Sequence, residues 1–248
     1  MLSRRKFFSR AVAGLTSFLV YNQNKELLSH QTKSELVSTN KGRKDSEALI
    51  IVDVQNDFCP GGSLAVKNGN SIIEKINAIQ SKFKFIILTQ DWHPKNHSSF
   101  SSTNPGKEVF STKSMPYGEQ VIWPPHCIIG TKGAEFHKDL NTEKANFIIR
   151  KGFRENIDSY SGFFENDRTS STGLDGVLKS LNIEKVFVVG LALDFCVQYT
   201  AIDSVNLGYE TYVIENATLP VDIGNSVADT LKNFKKFKIN YGNLDQFI

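Results

Sequence analysis

Ala48-Leu-Ile-Ile-Val-Asp53-Val-Gln55-Asn-Asp57-Phe58-Cys-Pro-Gly-Gly62 is the stretch whose reading decides the fold. Residues 48–54 are apolar at every position except Asp53 and span a strand's length, so both faces of that strand need cover. Further runs rich in Ile, Val and Phe occupy residues 83–89, 145–150, 185–190, 210–215 and, weakly, 237–240. Helix-like segments fall between several of them, at 71–81, 172–181, 194–207 and 223–234; in the first, Ile72, Ile73, Ile76 and Ile79 recur at helical spacing. Strand–helix–strand alternation predicts one three-layer α/β/α domain with a parallel sheet and helices on both faces. Residues 90–144 and 151–170 interrupt the alternation as long loops rich in Pro, Gly, Ser and His, and loops after strand ends are where such folds build sites.

The chain divides into a possible signal or basic tail (1–21), a polar linker (22–46) and the domain (47–248). Residues 1–45 hold nine Lys/Arg against three Asp/Glu, or +6, so the +3 of the whole chain leaves −3 on the domain. A mildly acidic domain gives no electrostatic case for binding nucleic acid. Three cysteines without a C-x-x-C pair argue against a disulfide framework or a structural zinc finger and leave one reactive thiol open. Ser3-Arg4-Arg5-Lys6-Phe7-Phe8, followed by a modest apolar run, resembles a twin-arginine export signal. The expectation is export or, failing that, a basic tail on a cytoplasmic enzyme; membrane association follows only if the segment persists as an uncleaved anchor. A homo-oligomer is compatible with everything here.

Five places carry chemistry. Asp53 is an acid at the end of an apolar strand, costly there without a partner or a task, although a capping carboxylate reads equally well. Asp91 and His93 project from one short loop, and His126 lies in the proline-stiffened Trp123-Pro-Pro-His126. Together they offer the O and N donors a borderline divalent metal accepts, with His97 as an additional candidate. Lys151 closes the third apolar run, where a solvated surface lysine is the bland alternative. Cys196 follows the Gly190-led turn after the fourth run, where a helix N-terminus is expected to lower a thiol's pKa; a small core residue is the competing reading. Backbone N–H groups of Ala192 and Cys196 lie where an oxyanion would form.

VDVQNDFCPGGSLAV, TQDWHP, WPPHCIIGTKGAEF, RKGFRENIDSYSGFF and VVGLALDFCVQYTAID, in that order, resemble the nicotinamidase/pyrazinamidase branch of the isochorismatase-like cysteine hydrolases. The resemblance implies a six-stranded parallel sheet and a catalytic Cys196–Asp53–Lys151 triad. It also implies one divalent metal (zinc first, iron or manganese as alternatives) on Asp91, His93 and His126. Phe58, Trp123 and Tyr160 stand at the positions that sandwich a pyridine ring, and the Leu191–Ala192 peptide is expected to be cis. Nicotinamide is the implied substrate, with its pyrazine analogue beside it. Rival readings are a related cysteine hydrolase acting on another small amide, such as a carbamoyl compound, and a non-catalytic binding homologue.

Overall fold

A computed structural model describes residues 45–247. Its strands are β1 (Glu47–Val52), β2 (Phe85–Asp91), β3 (Thr112–Met115), β4 (Gly118–Val121), β5 (Phe147–Lys151), β6 (Lys185–Leu191), β7 (Glu210–Leu219) and β8 (Asn240–Gly242). Its α-helices are α1 (Ile73–Gln80), α2 (Leu174–Ser180), α3 (Gln198–Asn206) and α4 (Ser226–Phe237). Six strands form one parallel sheet in the order β5-β2-β1-β6-β7-β8, as expected.

β1 shows why. Every residue from Glu47 to Val52 is buried, and the side chains alternate between two cores. Leu49 and Ile51 pack on the face that α1 covers with Ile73 and Ile76. Ala48, Ile50 and Val52 pack on the other, with Leu174 and Leu178 of α2, Ala201 of α3 and Phe234 of α4. Each such Leu, Ile or Phe contributes roughly 1.5–3 kcal/mol when fully withdrawn from water. A strand that must satisfy two cores is held in register, Ile50 against Ile87 on one side and Val188 on the other.

The strand order turns back between β1 and β6: β1 is followed outward by β2 and β5, and β6 by β7 and β8. At such a switch point the connections leave in opposite directions and open a crevice at the carboxyl ends of the strands. β1 and β6 approach closely there. A Cβ on Gly190, whose φ is 110°, would lie 2.0 Å from the Val52 carbonyl oxygen, so only glycine fits.

Some boundaries differ from expectation. β2 continues to Asp91 because β5 keeps pairing with it as far as Lys151. β7 runs to Leu219 because a shift in register lets it pair again with Gly190 and Leu191. The loop 90–144 contains the β3–β4 hairpin, closed through Pro116-Tyr117, which the sequence reading left as loop. The segment expected as one helix over 194–207 begins instead as a π-helical turn, Leu193–Val197, before α3. Residues 1–44, with the expected export signal and nearly all of the linker, lie outside the described residues. Among the described residues no helix is long and apolar enough to cross a membrane.

Candidate active site

Four strand ends supply the charged groups and the thiol. Asp53 follows β1 with φ 46°, a left-handed backbone that costs an aspartate about 1 kcal/mol. The Thr89 hydroxyl of β2 donates to Asp53 Oδ1 at 2.6 Å and accepts the Asp53 N–H at 3.2 Å. Lys151, at the end of β5, is fully buried. Its Nζ lies 2.9 Å from Asp53 Oδ2, pairs with Asp91 Oδ1, and donates to the Ser159 carbonyl at 2.8 Å and to Cys196 Sγ at 3.5 Å. Cys196 reaches this point from the π-helical turn after β6, which begins beyond a cis Leu191–Ala192 peptide. The structure thus brings together the thiol, carboxylate and amine that the sequence singled out from three separate segments.

One expectation needs correcting. A helix N-terminus was expected to lower the Cys196 pKa, yet burial, the largest influence, holds it well above the ordinary value, with Asp53 and Asp91 adding to burial and Lys151 opposing. The thiol stands in a π-helical turn and is almost wholly enclosed, so removal from water outweighs any helix-end field. It therefore rests as S–H. Asp53 is raised to about 6, by burial first and by Asp91, against the pull of Lys151. Burial would lower Lys151, but the two carboxylates outweigh it and keep the amine charged.

Asp91, His93 and His126 form the second cluster. Gln55 grips the Asp91 backbone at both ends: its Oε1 accepts the Asp91 N–H and its Nε2 donates to the Asp91 carbonyl, each at 2.8 Å. His93 Nδ1 lies 2.8 Å from the Gly152 carbonyl and His126 Nδ1 2.8 Å from that of Pro124. A carbonyl only accepts, so both rings carry a proton on Nδ1 and turn their Nε2 atoms toward Asp91. These lie 3.5 and 3.8 Å from Asp91 Oδ2, and His93 Nε2 is buried without a hydrogen-bond partner. Burial and then His93 push His126 down to about 4, keeping its imidazole neutral as a ligand must be.

Ligand atoms of the three residues all fall within 4.8 Å of one another. An orphaned buried polar atom costs about 1–3 kcal/mol, and a divalent cation would engage all three side chains at once. The residues fit a metal. Gly152 belongs to this device, because a Cβ there would sit 2.4 Å from His93 Cε1. His97 plays a different part: its Nδ1 lies 2.8 Å from Ser99 Oγ and its Nε2 3.2 Å from the Ile157 carbonyl. Both nitrogens are engaged within the protein, and the ring packs 4.4 Å from that of His93.

Between the two clusters opens a narrow pocket. Cys196, Ala192 and Asp91 face it from at or beyond the strand ends, and Phe58, Trp123, His126 and Tyr160 from the loops. The rings of Trp123 and Tyr160 meet edge to face at 6.1 Å, while Phe58 packs edge-on against His126 at 5.5 Å. Phe195, which the sequence reading missed, completes the wall 4.8 Å from Trp123. Thr89, Gln55 and Asp158 were also missed. An alternating-strand reading that asked which buried polar residues flank Asp53 and Asp91 would have flagged the first two. Cys59 and Cys127 are buried as well, and burial first of all holds both thiols above the ordinary value.

Fold and site together define the class: an α/β/α hydrolase whose polar groups gather at the carboxyl ends of a parallel sheet. The model of the isochorismatase domain matches residues 47–237. A nicotinamidase of Acinetobacter baylyi is 53% identical over 180 residues, covering 73% of this chain and 84% of that one. The structure of an Acinetobacter baumanii nicotinamidase/pyrazinamidase superposes with a TM-score of 0.82 at 47% identity, covering 84% of this chain and all of the other. A Pyrococcus horikoshii pyrazinamidase, solved in complex with zinc, gives 0.66 at 34% identity over 80% of this chain and 99% of its own. The chain belongs to the isochorismatase family and, within it, to the nicotinamidases.

Proposed function

We propose that the protein hydrolyses nicotinamide to nicotinate and ammonia, and pyrazinamide likewise, through a thioester on Cys196. The observation that carries this reading is Lys151 Nζ, 2.9 Å from Asp53 Oδ2 and 3.5 Å from Cys196 Sγ, beside three metal-type donors and an aromatic cavity. Family membership supports it.

In this mechanism Asp53 takes the proton of the Cys196 thiol as sulfur forms its bond to the amide carbon. Lys151 steadies the charge that passes between them. The backbone N–H groups of Ala192 and Cys196 receive the oxyanion. As the C–N bond breaks, Asp53 returns the proton and ammonia leaves. Water, giving a proton to Asp53, then splits the thioester to yield the acid and restore the thiol. Asp53, raised to about 6, suits both directions of transfer. Asp91, His93 and His126 would hold a divalent metal, zinc being the best match to one carboxylate and two imidazoles. When bound, that metal supplies a Lewis-acid contact for the ring nitrogen or for water. Phe58, Trp123, Tyr160 and Phe195 bind the ring, and His97 buttresses His93.

Ammonia release from nicotinamide by the purified protein, with and without prior chelation, tests the reading. The expected result is turnover that chelation abolishes and added zinc, iron or manganese restores. No release by metal-loaded protein would refute it. Export of the protein under its Arg4-Arg5 segment is a separate proposal, refuted if cell fractions retain all of it in the cytosol with residues 1–21 attached.

A further inference from the structure

Gln120 is the only fully buried residue in the two strands of the β3–β4 hairpin. Its amide nitrogen lies 2.7 Å from Asp158 Oδ2, 2.8 Å from the Tyr160 hydroxyl and 2.8 Å from the Val121 carbonyl. Its amide oxygen accepts from Asn166 Nδ2 at 3.1 Å and from the Tyr117 hydroxyl at 3.3 Å. The same Tyr160 hydroxyl accepts Trp123 Nε1 at 3.1 Å, and the Tyr160 N–H donates to Asn166 Oδ1 at 3.1 Å. Asp158, Tyr160 and Trp123 all face the cavity. One side chain, reaching in from an outlying hairpin, therefore ties together a whole wall of the substrate pocket. Glutamine alone suits the place. It donates to a carboxylate and a phenol from one end and accepts from an amide and a phenol at the other; leucine can do neither and glutamate cannot donate.

We propose that Gln120 is a positioning residue that holds the Tyr160–Trp123–Asp158 wall in shape for a flat heteroaromatic amide, and so governs binding of the ring rather than the chemical step. This rests on the function proposed above. Gln120 touches neither Cys196, Asp53 nor Lys151 in any contact described, so its loss should leave the reacting groups in place. The aromatic wall, by contrast, loses its common tie, and the buried Asp158 carboxylate loses one of its two donors.

The test measures KM and kcat for nicotinamide and, separately, the Kd of nicotinate by calorimetry. Gln120→Leu should raise KM and Kd by about 10-fold with kcat within about twofold. Gln120→Glu should be no better, since it sets an acceptor against Asp158. In a Tyr160→Phe background Gln120→Leu should add less than its effect alone, because part of its action runs through the Tyr160 hydroxyl. Should Gln120→Leu fail to fold, Asn166→Ala, at a partly buried site, should raise KM about threefold with kcat unchanged. An unchanged Kd, a fall in kcat without a rise in KM, or full additivity with Tyr160→Phe would overturn the inference. If wild-type protein binds nicotinate but releases no ammonia, and Gln120→Leu weakens that binding, the function falls and the positioning role stands. If wild type binds no nicotinate, both fall.

Discussion

The two sides of the cavity are built by different means. On one side Asp53, Asp91 and Lys151 stand at or just past the ends of β1, β2 and β5, around Cys196 in the π-helical turn that follows β6. Their positions are set by a sheet whose residues serve two cores. On the other side Phe58, Trp123, Tyr160 and Phe195 stand in loops and in the turn before α3, outside the sheet, where side-chain contacts such as that of Gln120 with Tyr160 add to the hydrogen bonds of the loop backbone. Rigid strand ends carry the groups that must meet within hydrogen-bond distance; the loops carry a surface that needs only to be flat and apolar. The difference teaches that damage to the first side should appear in kcat and damage to the second in KM.

The largest break in that division comes from Lys151→Met. It removes the cation between two buried carboxylates, so kcat should fall on the order of 10³-fold or more. Stability should drop by about 3–5 kcal/mol, read by urea denaturation, because Asp53 and Asp91 are left as uncompensated buried charges. Gly152→Ala comes next. Its Cβ would displace the His93 ring, so metal affinity should fall by about 10–100-fold, measured by competition with a chelator. Thr89→Val keeps the shape of the side chain and removes the hydroxyl that donates to Asp53 Oδ1. Its kcat should fall about 10-fold with KM unchanged. Phe195→Leu, on the loop side, should raise KM about threefold and leave kcat within about twofold. A kcat effect of Phe195→Leu larger than that of Thr89→Val would dissolve the division between the two sides.

How much of this the sequence made legible follows the same line. The six strands could be read because runs apolar on both faces have few other uses, and Asp53, Lys151 and Cys196 stood out as polar or reactive residues where those runs stop. The metal donors stood out through their chemistry and clustering. The supports did not, because their roles arise from partners distant in the chain. Gln55 grips Asp91 and Ala134, 36 and 79 residues away, and Gln120 meets Asp158 and Tyr160 at separations of 38 and 40. No periodicity announces such contacts. The state of the Cys196 thiol was misread for a related reason: position near a helix start is local and readable, whereas enclosure by β6, Lys151 and the aromatic wall is a property of the folded chain.

The proposed mechanism rests on the Cys196 sulfur as the atom that attacks. Its most direct test is ammonia release from nicotinamide by Cys196→Ala, compared with wild type at equal metal content. A fall of at least about 10⁴-fold, with nicotinate still bound and the metal retained, is the outcome the site geometry requires. Release within about 10-fold of wild type would contradict it, since the metal and the remaining side chains would then suffice without a thioester.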